Sequence, residues 1–150
     1  MSRNESPESS LSLERAGGCE CGGIRYRVTG DPLAVTICHC TQCQRQSGSA
    51  FSMSLVVLRE HFQLLRGEPR TFTTTSDSGA RKGCLFCATC GVRIYNALER
   101  MPATVNVKPG TLDDTAWLAP QLEVWRASRQ PWLELPELGP RFDGNPRRER

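Results

Sequence analysis

Cys19-Glu20-Cys21-Gly22-Gly23-Ile24-Arg25-Tyr26-Arg27-Val28 is the stretch from which the rest of the chain can be read. Its second half alternates, with Ile24, Tyr26 and Val28 on one side and Arg25 and Arg27 on the other. That is the period-two signature of a half-buried strand. Its first half sets two thiols two residues apart, and residues two apart on an extended chain point the same way. Cys19 and Cys21 can therefore grip one soft metal ion at the edge of a sheet.

Outward from this stretch the same grammar repeats. Gly30-Asp31-Pro32 supplies a turn, and residues 33–37 read as a second strand that runs into Cys38. Residues 51–58 form a third apolar stretch. Shorter strands at 63–65 and 70–75 flank Gly67-Glu68-Pro69, and 76–79 reads as an exposed loop. Residues 84–86 and 92–95 bracket Cys87 and Cys90 like two strands of a metal-stapled hairpin, and 103–107 and 122–125 complete the set. No segment carries a long helical period and no repeat occurs at solenoid spacing. Short strands with frequent turns predict a mostly β domain.

The domain is expected to span residues 17–143. Residues 1–16 are rich in Ser, Glu and Asn, without apolar periodicity, and read as disordered. Residues 144–150 form a basic tail carrying Arg147, Arg148 and Arg150. At 150 residues one domain is the simplest organisation. No apolar run approaches the roughly 20 residues of a membrane helix, and the polar start lacks a secretory apolar stretch. A cytoplasmic protein is expected, and there cysteines stay reduced and favour metal over disulfides. The formal charge is +3, almost all of it arginine, with Lys82 and Lys108 the only lysines. So short a basic tail argues against a nucleic-acid partner.

Seven of the eight cysteines fall into three groups: Cys19 and Cys21; Cys38, Cys40 and Cys43; Cys87 and Cys90. Seven thiolates divide into four plus three. Four close a structural zinc site, and three leave a position open for substrate. Spacing alone also fits two closed sites, or one site beside unligated buried cysteines. Gly91, directly after Cys90, can take the positive φ of a tight knuckle. Cys84 is either a small buried side chain or a fourth ligand that closes the second site. If residues 85 and 86 continue a strand, Cys84 and Cys87 face opposite sides.

Other residues have two readings each. On a strand His39 points away from Cys38 and Cys40, to pack or bond to backbone, or to shuttle a proton. His61 beside Glu60 reads as a surface residue. Gln44, Arg45, Ser47 and Gly48 form a polar loop or contact substrate. Trp117, Trp125 and Trp132 read as core, and Phe51 fills the core or lines a pocket.

Several segments together resemble one family. Gly17-Gly18-Cys19-Glu20-Cys21-Gly22-Gly23-Ile24-Arg25-Tyr26 resembles the opening of the glutathione-dependent formaldehyde-activating enzymes, a family that includes centromere protein V. Cys38-His39-Cys40-Thr41-Gln42-Cys43 with Ser47-Gly48 is similar to its central motif, and Phe86-Cys87-Ala88-Thr89-Cys90-Gly91 to its third. Residues 105–112 with Asp113 and Asp114, then Pro131-Trp132 and Arg141-Phe142, follow in the family's order. The resemblance implies a β-tent of folded antiparallel sheets around zinc. It implies a structural zinc on Cys19, Cys21, Cys87 and Cys90, and a second, catalytic-type zinc on Cys38, Cys40 and Cys43. The chain departs from the family pattern at Cys84, where members often carry a basic residue, and at Glu123, where they often carry histidine.

By that resemblance the expected activity is that of a zinc-dependent carbon–sulfur lyase acting on a small thiol–aldehyde adduct, with glutathione or a related thiol as partner. The alternative is a non-catalytic zinc module that binds a protein, as centromere protein V suggests. Three thiolates leave zinc a weak Lewis acid, so thiol activation is favoured over water activation.

Overall fold

The computed structural model describes residues 13–76 and 78–146. Its elements are β1 (Glu14–Gly18), β2 (Arg25–Thr29), β3 (Ala34–Cys38), α1 (Thr41–Ser47), β4 (Ser52–Leu58), β5 (Phe62–Arg66), β6 (Arg70–Thr75), β7 (Arg81–Phe86), β8 (Arg93–Leu98), β9 (Thr104–Val107) and β10 (Leu122–Val124). The mostly β expectation holds. A small antiparallel sheet runs β1-β2-β5, and a seven-stranded sheet runs β10-β3-β4-β9-β8-β7-β6. Every pair is antiparallel except β10 with β3, which is parallel and makes the large sheet mixed.

The alternation after Cys21 decides how the sheets meet. Tyr26 and Val28 of β2 are buried while Arg25 and Arg27 lie at the margin. Cross-strand partners share a face, so the pairing of Val35 with Leu55 and of Leu55 with Val107 defines one apolar face of the large sheet. That face packs on the small sheet through Ile24, Tyr26 and Val28. The Phe62 ring bridges the layers, 5.4 Å from Tyr26 and 4.6 Å from Tyr95 between ring centroids. Leu55, Val57, Val105 and Val107 are each at most 1% exposed, and burial of each is worth about 1.5–3 kcal/mol.

The opposite face of the large sheet is polar. Thr36 pairs with Ser54, Asn106 with Asn96, and Asn96 with Cys84. The first register row of this face ends at Cys38, paired with Ser52. A thiol group therefore stands at the margin of a polar sheet face rather than in the apolar core.

Three sequence expectations are corrected. β1 begins at Glu14, inside the segment read as disordered to residue 16. Residues 14–16 are ordered by ladder bonds to β2, from Glu14 opposite Thr29 to Gly18 opposite Arg25, and residues 1–12 lie outside the described ones. Gln44, Arg45 and Ser47, read as a polar loop or substrate contacts, lie on α1, with Gly48 as its C-cap. Trp132 is 70% exposed rather than core. Of the expected basic tail, Gly144 and Asn145 are tied to Trp125 by hydrogen bonds, and residues 147–150 lie outside the described ones. Among the described residues no helix is long and apolar enough to cross a membrane.

Candidate metal centres

Cys19 and Cys21 lie on the turn between β1 and β2, and Cys87 and Cys90 on the turn between β7 and β8. The two sheets bring these turns together, so that all four sulfurs lie within 4.8 Å of one another. Sulfurs held about 2.3 Å from a tetrahedral ion sit about 3.8 Å apart. Cys19 and Cys21 are separated by 3.5 Å and Cys21 and Cys87 by 3.7 Å, so the donor set fits zinc. The Ile24 N–H donates to the Cys19 sulfur at 3.2 Å. The backbone N–H of Cys21, then that of Val92, holds the Cys90 thiol down to about 6. Both effects favour the ionised sulfur that a metal needs. Gly91 has φ of 78°, the conformation expected of the knuckle.

Cys38, Cys40 and Cys43 make a second group, again with all sulfurs within 4.8 Å. Its geometry follows from a strand that ends where a helix begins. Cys38 closes β3, Cys40 is the N-cap of α1, and Cys43 lies in the first turn. The Cys43 N–H donates to the Cys40 sulfur at 3.2 Å, the cap role that Ser or Asp usually plays. The thiols of Cys38 and then Cys43 push Cys40 strongly towards the thiolate, while sharing its site raises Cys38. Three soft donors converging on one point fit zinc with a coordination position left over.

Cys84 belongs to neither group. It is buried in β7, with its sulfur 3.5 Å from Nε2 and 3.7 Å from Oε1 of Gln46 on α1. The carboxamide thus occupies the thiol that the sequence left as a possible fourth ligand.

A cavity of about 180 Å³ opens on the three-cysteine group. Ser54, Asn96 and Asn106 of the polar sheet face line it, with Lys82 and Lys108 and the ring of Trp125. Loss of water around the Lys108 ammonium, then the nearby Arg93, holds its pKa down to about 8, against the pull of Cys43. Strand patterns and motif spacing single out none of these side chains as part of a site. Trp125 was read as core, yet it sits at φ 56° beside the cavity, a conformation unusual for a bulky residue. The available signal was the lysine count.

His39 is fully buried and its Nε2 lies 2.7 Å from Glu123 Oε1. His39 lies just past the end of β3, so strand alternation does not set its direction, and its partner is a carboxylate on β10 rather than backbone. Gln44 donates to the carbonyls of His39 and Ser128, which makes it a brace of the site and not a loop residue. Phe51 lines a neighbouring cavity of about 480 Å³. His61 is partly exposed, 4.0 Å from Glu60.

Two thiol groups on folded sheets, each able to hold a soft metal ion, define the class of this β protein. Residues 14–128 match the family described as glutathione-dependent formaldehyde-activating enzyme, and the chain belongs to that family. A solved structure of a Rhodobacter sphaeroides protein has the same fold. It is 19% identical, with a TM-score of 0.54, over 68% of this chain and 91% of that one.

Proposed function

We propose that the chain is a zinc-dependent carbon–sulfur lyase that makes or breaks the adduct of a small thiol with an aldehyde. The observation that carries this reading is the three-thiol group of Cys38, Cys40 and Cys43 opening into a polar cavity, with Cys84 outside the group and in contact with Gln46. Cys19, Cys21, Cys87 and Cys90 would hold the structural zinc. Cys38, Cys40 and Cys43 would hold the second ion, which supplies a soft Lewis-acid centre that keeps a thiol ionised at neutral pH.

The rest of the chemistry falls to the cavity wall. In addition a carbon–sulfur bond forms, the carbonyl π bond opens, and the thiol proton ends on the former carbonyl oxygen. Cleavage reverses each change, with no net oxidation. Negative charge develops on that oxygen in both directions. The side-chain amides of Asn96 and Asn106 and the Ser54 hydroxyl offer fixed donors on the same wall, the arrangement that stabilises a developing oxyanion. Glutathione with formaldehyde is the pair suggested by the family's description.

A panel of thiols and aldehydes assayed with wild type and Cys43→Ser tests the reading. A loss on the order of a hundredfold in the variant is expected. Equal rates in the two proteins would exclude chemistry at this group.

A further inference from the structure

Of the nineteen lysines and arginines only two are lysines, and both line the three-cysteine cavity. Lys82 reaches it from β7 and Lys108 from the residue that follows β9. Lys82 is 7% exposed and its ammonium donates to Gln42 Oε1. The Lys108 ammonium donates to Ser52 Oγ at 2.8 Å and reaches Ser54 Oγ at 3.4 Å. Both charges are thus aimed and held by neutral oxygens. Among the described residues no Asp or Glu lines this cavity or the adjoining one, which Lys108 shares with Arg93.

Neutral acceptors recover only part of what a buried ammonium loses on leaving water. Three thiolates on a divalent ion carry one net negative charge, and two lysines more than balance it. With Arg93 behind Lys108 the excess grows. An incoming thiolate meets one positive charge and leaves another to be met. Lysine, a compact point charge, suits an acid oxygen that arrives from one side.

We propose that Lys82 and Lys108 bind the acid group of a compact anionic thiol and select it over neutral thiols. This rests on the reading of the three-cysteine cavity as a thiol site and names the class of thiol it takes. The cavity, at about 180 Å³, is smaller than the roughly 300–1,000 Å³ of sites for drug-sized ligands. A thiol with its acid group a few bonds from the sulfur suits that space, whereas the carboxylates of a tripeptide thiol stand further from its sulfur.

The full-length chain loaded with cobalt(II) gives a test that does not depend on turnover, because thiolate-to-cobalt absorption reports thiol binding directly. It is titrated with 3-mercaptopropionate, 2-mercaptoethanol and glutathione. The acid thiol is expected to bind at least about tenfold more tightly than the neutral one. Lys82→Met and Lys108→Met should each bring the two within about threefold. Should Lys108→Met fail to fold, as judged by circular dichroism, Lys82→Met decides. Equal affinity for acid and neutral thiols, unmoved by the variants, overturns the lysine proposal while leaving the thiol site standing. Absence of any spectral change with all three thiols overturns the thiol site itself, and the proposal with it. Glutathione binding as tightly as the compact acid, with the same lysine dependence, overturns the limit on size.

Discussion

His39 Nε2 lies 2.7 Å from Glu123 Oε1, and both side chains are at most 2% exposed. This bond joins the turn between Cys38 and Cys40 to β10, the parallel strand at the edge of the large sheet. The backbone repeats the link, since the His39 N–H donates to the Val124 carbonyl at 3.1 Å. Glu123 also draws Arg126 and Arg141 to within 3.9 and 3.8 Å. A buried carboxylate is tolerated where hydrogen bonds and opposite charges surround it.

Glu123→Ala strips that partner from a fully buried imidazole and leaves two guanidiniums facing a void. A loss of about 2–4 kcal/mol is expected, which lowers the melting temperature by roughly 5–15 °C in a chain of this size. Glu123→Gln keeps an acceptor oxygen and should lose less than half as much. Thermal unfolding by circular dichroism reads both. Equal melting temperatures for the alanine variant and wild type would show that the pair contributes nothing.

The two thiol groups should differ in what their loss does to the fold. Cys19, Cys21, Cys87 and Cys90 come from a turn of the small sheet and a turn of the large one, whereas Cys38, Cys40 and Cys43 come from a single strand-to-helix junction. A metal bound only by the folded state stabilises it. Cys87→Ser is expected to lower the melting temperature by at least about 10 °C, and Cys43→Ser by only about 2–4 °C. Zinc analysis should give two ions per wild-type chain and one for Cys43→Ser. Two retained ions in Cys43→Ser would remove that residue from the ligand set.

Strands of the apolar–polar type were legible because alternation is local. Residues 24–28, 33–37 and 51–58 fall on β2, β3 and β4 to within about one residue at each end. β1 was not, because Glu14-Arg15-Ala16-Gly17-Gly18 has no alternation of its own and is a strand only by pairing with β2. The seven residues of α1 are too few for a helical period to emerge, and its N-cap is a cysteine rather than the usual Ser or Asp. The grouping of the thiols was legible in count but not in partition, since Cys21 and Cys87 lie 66 residues apart. Glu123 and His39, 84 residues apart, left no mark that composition or spacing could show. The polar face that forms the cavity wall arises from cross-strand register, which single-strand patterns do not contain.

Arg15 and Trp117 provide a check on the ordering of β1. The Arg15 guanidinium carbon lies 3.8 Å from the centroid of the Trp117 ring, and the Trp117 Nε1–H donates to the Asp114 carbonyl at 2.9 Å. The cation is attracted to the ring face, and its stem covers apolar surface. Arg15→Ala is expected to lose about 0.5–1 kcal/mol, or roughly 1–4 °C. It should also raise hydrogen exchange at Ala16 and Gly17. Unchanged exchange at these amides would mean that β1 is held by its ladder alone.

Tyr26 sets the alkaline limit of the fold. Its ring is fully buried and its hydroxyl lies 2.7 Å from Thr111 Oγ1. Burial pushes the phenol up to about 12, against a smaller opposing effect of the Thr111 bond. Burial raises Tyr95, the other tyrosine, as well. The unfolded chain gives up its phenol protons near pH 10. The stabilisation from keeping Tyr26 neutral is therefore complete below pH 10 and is lost as pH climbs towards 12. It amounts to about 2–3 kcal/mol for a shift of this size. Absorbance at 295 nm should show less than a full two-tyrosine step near pH 10 while the protein is folded, because Tyr26 stays neutral. The alkaline transition should be cooperative and coincide with loss of the circular dichroism signal. Tyr26→Phe gives up the Thr111 bond, about 1 kcal/mol at neutral pH, and should flatten the fall in stability between pH 10 and 12. A full two-tyrosine step at pH 10 with the fold intact would contradict the burial of Tyr26. The same alkaline slope in wild type and Tyr26→Phe would place the limiting group elsewhere.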